Sequence, residues 1–227
     1  MANYYGTPAI VTDGLIFAVD AGNSQSYVSG SLDTFSLVSS ATGSLKNNTA
    51  WSSDNQGIWD FDGTDDYIIA PLTGSILAVD DTDVKLTVSI WVKISTSVAA
   101  QGIFQWAHIL NSGYPFILIQ QNSLEIRMYM DNGWRTATGI SLDTWYNLVV
   151  TRDSTTNIWT GYINGSSFFT YDDGGSSARR NYAENIYLGN GYVGYVEGNL
   201  ANCMIYNKTL STSEVIQNYN STKERFI

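Results

Sequence analysis

Cysteine, histidine and positive charge are all scarce in this sequence. One cysteine and one histidine occur in 227 residues, and 11 Lys and Arg stand against 21 Asp and Glu. A single Cys203 excludes an intrachain disulfide, and its place in the apolar run of residues 200–206 reads as a buried thiol packed as a small hydrophobe. One Cys and one His cannot supply the soft ligands that a zinc site prefers. A cysteine nucleophile would have only His108 to activate it, and that residue lies in Gln105-Trp106-Ala107-His108-Ile109 with no evident partner. His108 reads as structural. A Gly-x-Ser-x-Gly nucleophile turn is also missing.

The net charge of −10 comes as much from the shortage of cations as from an excess of acids. No basic cluster exists beyond Arg179-Arg180, which disfavours binding to nucleic acid and to anionic membrane surfaces. Long hydrophobic runs are lacking too, and the first eight residues have neither a basic region nor an apolar core. The expectation is a chain made in, and released from, a cytoplasm.

What is abundant is Ser, Thr, Asn, Gly and Tyr between short apolar runs. At this length one all-β domain can bury roughly 70–75 % of its unfolded surface without staples. Residues 1–12 show no period. Tyr4, Tyr5 and Pro8 mark them as an arm that docks on the chain's own body or on a neighbour, leaving residues 13–227 as a single domain. Residues 15–19 form a first strand, and residues 22–56 a long connection with one or two short strands. Trp59 and Phe61 lead into Asp62-Gly63-Thr64-Asp65-Asp66, and Tyr67, Ile68 and Ile69 lead out. This pattern predicts two strands joined at a tight turn.

The clearest strand spans residues 85–94, with Leu86, Val88, Ile90, Val92 and Ile94 on one face. Residues 102–109, 115–120 and 123–130 follow as a meander, and residues 145–152 as another core strand. Residues 158–163 and 167–171 pair across Asn164-Gly165, the strongest short-range hairpin signal. Residues 172–181 read as a loop, and residues 185–189 and 198–207 complete the sheet-forming runs. Ser211 and Glu214 form a capping box before Val215, Ile216 and Tyr219, which predicts a short amphipathic helix. About a dozen short strands and one terminal helix predict an antiparallel two-sheet sandwich.

Several motifs are specific in their order. They are residues 14–23 (Gly-Leu-Ile-Phe-Ala-Val-Asp-Ala-Gly-Asn), 61–67 (Phe-Asp-Gly-Thr-Asp-Asp-Tyr), 88–93, 145–151, 162–165, 186–189 and 198–211, the last ending Tyr-Asn-Lys-Thr-Leu-Ser. In them the chain resembles the laminin-G-like branch of the concanavalin A-like lectin/glucanase jelly rolls. The opening and closing motifs are similar to those of domains in structural proteins of tailed bacteriophages. Many family members have histidine where this chain has Asn147. The resemblance implies a jelly roll with a short C-terminal helix on the surface of a virion assembled in the host cytoplasm. Its partners would be virion proteins, and it would be a homo-oligomer or present in many copies. Capsid decoration is the preferred role, and a carbohydrate-binding domain of a tail fibre reading host surface polysaccharide is the alternative.

Enzymatic relatives place their carboxylates in a Glu-x-Asp-x-x-Glu strand. Glu125, Glu184, Glu197, Glu214 and Glu224 are scattered here and none fits that pattern, so no catalytic residue is expected. Relatives often hold Ca²⁺ on a loop. Asp62, Asp65 and Asp66, or Asp80, Asp81 and Asp83, are candidates for such a site and equally for turn caps. No cofactor is required. Candidate sugar or partner platforms are Trp134 with Arg135, Tyr114 with Asn111, and Tyr192 with Tyr195, each an aromatic near glycine-rich turns.

Overall fold

The computed structural model describes residues 9–72, 85–97, 99–107, 117–121, 124–130, 133–137, 139–174, 185–191 and 193–227. In chain order the strands are β1 (Leu15–Asp20), β2 (Asp33–Phe35), β3 (Thr42–Lys46), β4 (Ala50–Ser52), β5 (Ile58–Asp62) and β6 (Tyr67–Pro71). Next come β7 (Leu86–Ile94), β8 (Gln101–Ala107), β9 (Ile117–Gln121), β10 (Glu125–Met130), β11 (Gly133–Ala137) and β12 (Trp145–Asp153). The last are β13 (Ile158–Ile163), β14 (Ser166–Asp172), β15 (Asn185–Leu188), β16 (Asn190–Gly191), β17 (Gly194–Tyr195) and β18 (Glu197–Tyr206), followed by α1 (Thr212–Thr222). No described helix is long and apolar enough to cross a membrane.

Two eight-stranded sheets face each other. One runs β14-β13-β12-β7-β18-β5-β4, with β1 pairing the far half of β18, and the other runs β11-β10-β9-β8-β15-β6-β3-β2. Every described pairing is antiparallel. The sandwich is as the sequence predicts, and Leu86, Ile90 and Val150 lie in the core between the sheets. The Asn164-Gly165 hairpin is also as predicted: both residues have left-handed backbone (φ 51° and 78°), the twist a two-residue β-turn needs.

Three local expectations are corrected. Residues 58–62 and 67–71 are not a hairpin, because β5 pairs with β18 and β4 in one sheet while β6 pairs with β15 and β3 in the other. The four residues between them carry the chain across the sandwich, turning at Gly63 (φ 76°), where a Cβ would come 2.8 Å from that of Glu197. Residues 22–56 hold three strands rather than one or two. β11 is an additional strand, at residues to which the sequence pattern assigned no element. On α1, Ile216 is 41 % exposed, and the inward positions are Val215 and Asn218. A step of 100° per residue rotates position 216 away from 215 and 218. Asn218 is tolerated inside because its amide bonds the Val11 N–H (2.8 Å) and the Tyr206 hydroxyl (2.9 Å).

The outer face of the first sheet is sealed. Ala18, Val149, Tyr162 and Met204 pack under α1 with Val215, and Ile10 and Val11 lie against the same cluster. Beside them Trp91 stacks on Phe226 (4.3 Å between ring centres) and donates to the Thr222 hydroxyl at 2.9 Å. The second sheet's outer face has no comparable cover among the described residues.

Candidate functional site

Two features on the described surface stand apart from the core. The first is a pocket of about 400 Å³ lined by Asn47, Asn48, Ala50, Asp60, Asp62, Asp65 and Asp66. It forms because the turn after β5 and the turn between β3 and β4 meet. Asn47 and Asn48 both take left-handed backbone (φ 56° and 72°), and the Asn47 amide donates to the Asp65 carbonyl at 2.9 Å. Carboxylate oxygens of Asp62, Asp65 and Asp66 all lie within 4.8 Å of one another, so the structure brings these three predicted residues together.

Their environments differ. Asp62 and Asp65 are exposed, whereas Asp66 is 4 % exposed. Asp66 Oδ2 accepts the Asp62 N–H at 3.2 Å, and its Oδ1 is buried without a hydrogen-bond partner. Burial, reinforced by the charges of Asp62, Asp65 and Asp60, pushes the Asp66 carboxyl up to about 6. Asp62 Oδ1 accepts the Thr64 N–H at 2.8 Å, and Asp60 accepts the Asn199 amide at 2.8 Å. The turn-cap and ion-ligand readings of these aspartates are therefore compatible. Among the described residues, no aromatic ring lines the pocket to stack on a sugar.

The second feature is an aromatic group on the open face of the second sheet. Tyr67 and Ile69 alternate with core residues Ile68 and Ala70 on β6, so they point outward. Tyr67 lies 6.1 Å from Tyr187 and 6.2 Å from Tyr195, and all three are half-buried. Gln105, opposite Tyr187 in the β8–β15 pairing, keeps a buried Oε1 with no partner. Of this group the sequence reading had found only Tyr195. Its signal for the others was an aromatic at the polar phase of an alternating strand.

Other predicted positions have different surroundings. Arg135 sits on β11, and its guanidinium stacks at 3.6 Å over Tyr171 of β14, bridging the edge strands of the two sheets. Trp134 shares that strand, but its side chain lies outside the described residues, as do Tyr4, Tyr5, Pro8, Asp80, Asp81, Asp83, His108, Asn111, Tyr114 and Tyr192. Cys203 is fully buried, and burial pushes its thiol well above the ordinary range.

Residues 62–216, more than half of the chain, match the family model of the concanavalin A-like lectin/glucanases superfamily. The chain belongs to this superfamily. Among solved structures with the superfamily's sandwich, it is similar to Trypanosoma rangeli sialidase in complex with sialic acid (TM-score 0.71, 14 % identity, covering 96 % of this chain and 34 % of that one). It is also similar to the binding domain of botulinum neurotoxin serotype D (TM-score 0.69, 16 % identity, covering 91 % and 51 %). The chain thus spans from about a third to about a half of those chains, and at such identity the likeness is one of fold. No curated protein matches it in sequence.

Proposed function

We propose that the chain is a non-catalytic surface protein of a tailed-phage particle, a jelly roll that decorates the capsid in many copies by docking on neighbouring virion proteins. The observation that carries this reading is the unequal cover of the two sheets. One outer face is closed by α1, Phe226 and residues 10 and 11, while the other presents half-exposed Tyr67, Tyr187 and Tyr195. Aromatic residues of this kind are enriched at protein interfaces. The virion setting rests on the likeness of residues 14–23 and 206–211 to phage structural proteins, and Tyr4, Tyr5 and Pro8 belong to docking in the same reading.

The non-catalytic assignment is supported by two of the described glutamates. Glu125 pairs with Arg127 at 2.7 Å, and Glu214 is held by Lys208 at 2.8 Å and by the helix cap. Among the described residues, no ring walls the acidic pocket to place a sugar across two carboxylates. Quantitative mass spectrometry of purified particles tests the proposal. A copy number matching the capsid lattice is expected; a handful of copies would move the protein to the tail, and absence from particles would overturn the reading.

The lectin alternative has its own support in the tyrosine group, whose half-exposed ring faces suit stacking on a sugar. Sub-millimolar binding on a glycan array that Tyr67→Ala abolishes would favour it over decoration.

A further inference from the structure

We propose that residues 28–38, at one edge of the sandwich, form the surface on which a second copy of this chain docks. Of the seven large hydrophobic side chains exposed among the described residues, five lie here: Val28, Leu32, Phe35, Leu37 and Val38. Leu32 is 75 % exposed and Phe35 50 %. Apolar side chains scattered singly are ordinary on a protein surface, whereas five gathered on one segment mark a surface that a partner covers.

The fold holds this segment in place without burying its apolar side chains. Thr34 of β2 points into the sandwich and is fully buried, which turns Phe35 outward. The Phe35 N–H donates to the Ser26 carbonyl at 2.7 Å, and the Ser26 hydroxyl donates to the Phe35 carbonyl at 2.8 Å. The Leu37 N–H donates to the Ala18 carbonyl of β1 at 2.8 Å. Residues 26–37 therefore tie β1 of one sheet to β2 at the end of the other. Backbone groups that would invite a foreign strand at these positions are already used, so the contact is made by side chains and not by strand addition.

Charge identifies the occupant. The chain carries a net charge of −10, so two copies repel wherever their acids face each other. Residues 21–45 contain a single charged side chain, Asp33, whose carboxylate accepts the Ser44 hydroxyl at 2.9 Å. Asp20, just before them, is paired with Arg225 at 2.7 Å. The molecule thus offers a copy of itself an apolar and nearly uncharged edge, rimmed by exposed Ser24, Ser29 and Ser40. A basic partner would gain little here and would be drawn to the acidic remainder of the surface. The same patch on each copy meets itself across a two-fold axis, which closes the pair.

Sedimentation velocity of the full chain between about 1 and 100 µM tests the pairing. A monomer–dimer equilibrium is expected, and it should tighten as salt is raised, because salt screens the like charges and leaves the apolar contact. Leu32→Asp puts an acid against the copy's apolar edge and should weaken the dimer by about tenfold or more. The urea midpoint of the dilute monomer should stay in place, since the side chain is exposed. Val28→Asp should act in the same way, and Tyr67→Ala should leave the dimer intact. The proposal is overturned if the chain is monomeric throughout that range, if salt dissociates the dimer, or if the dimer survives both aspartate variants. A monomer would leave the decoration reading standing, because that reading rests on the tyrosine face and is tested on particles.

Discussion

Asp173 is where two distant side chains find their acceptor. Its Oδ2 takes the Arg152 Nε–H at 3.1 Å and the Trp159 indole N–H at 2.8 Å, and the Arg152 and Asp173 side chains are 1 % and 0 % exposed. Removing one member of a buried ion pair strands the other charge in a poorly solvating interior, which typically costs about 3–5 kcal/mol. Asp173→Ala is therefore expected to lower the free energy of unfolding by about that amount in urea titration. Asp173→Asn, which can still accept from Trp159, should cost less. None of this was legible in the sequence, where Asp173 falls within residues predicted as a loop. Its partners lie 21 and 14 residues away, and only the pairing of β12 with β13 sets Arg152 opposite Trp159. Asp62, Asp65 and Asp66 were readable because they are close in sequence. The loss of solvent from Asp66 alone was not, since spacing along the chain does not set which of the three is covered.

At the scale of elements, α1 shows what local spacing can reveal. The Ser211 hydroxyl accepts the Glu214 N–H at 3.3 Å, and the Glu214 carboxylate accepts the Ser211 N–H at 2.8 Å, so the predicted capping box is present in both directions. Ser211→Ala is expected to destabilise the protein by about 1 kcal/mol in urea titration. The hydrogen bond from Lys208, then that from the Ser211 backbone, holds the Glu214 carboxyl below its ordinary value of 4.5. A depressed carboxylate stabilises the folded state above its unfolded pKa, and that contribution is lost as pH falls from 4.5 through the folded value. Glu214→Gln should be less stable than the parent at neutral pH, with the gap narrowing in acid. A cap is decided by residues three apart, whereas the β5–β6 crossing was misread because its turn chemistry would serve a hairpin equally well. Only the distant partners β18 and β15 decide which sheet each strand joins. Likewise β11 was hidden, because an edge strand ending in Thr-Ala carries little apolar alternation.

For the molecule as a whole, the two-layer plan was legible because strands such as β7 alternate cleanly, but the sealing of one outer face was not. Trp91 sits on the polar phase of β7, yet it is fully buried under Tyr219 and Phe226, which come from the far end of the chain. Cys203 lies at the centre of that sealed sheet, on β18, opposite Val19 of β1 and Ile90 of β7. Its thiol is fully buried, and desolvation holds it protonated and unreactive. Paired strands flank it on both sides, so a labelling reagent gains access only when those strands part, an opening that amounts to unfolding the sheet. Native protein should leave Cys203 unmodified by an aromatic disulfide reagent, while denatured protein reacts with one thiol per chain. Under weakly denaturing conditions where reclosing outpaces the reagent, the labelling rate should give the same free energy as urea unfolding followed by tryptophan fluorescence. Labelling governed by a markedly smaller free energy would mean that β1 or β18 opens on its own, and that the two sheets do not unfold as one unit.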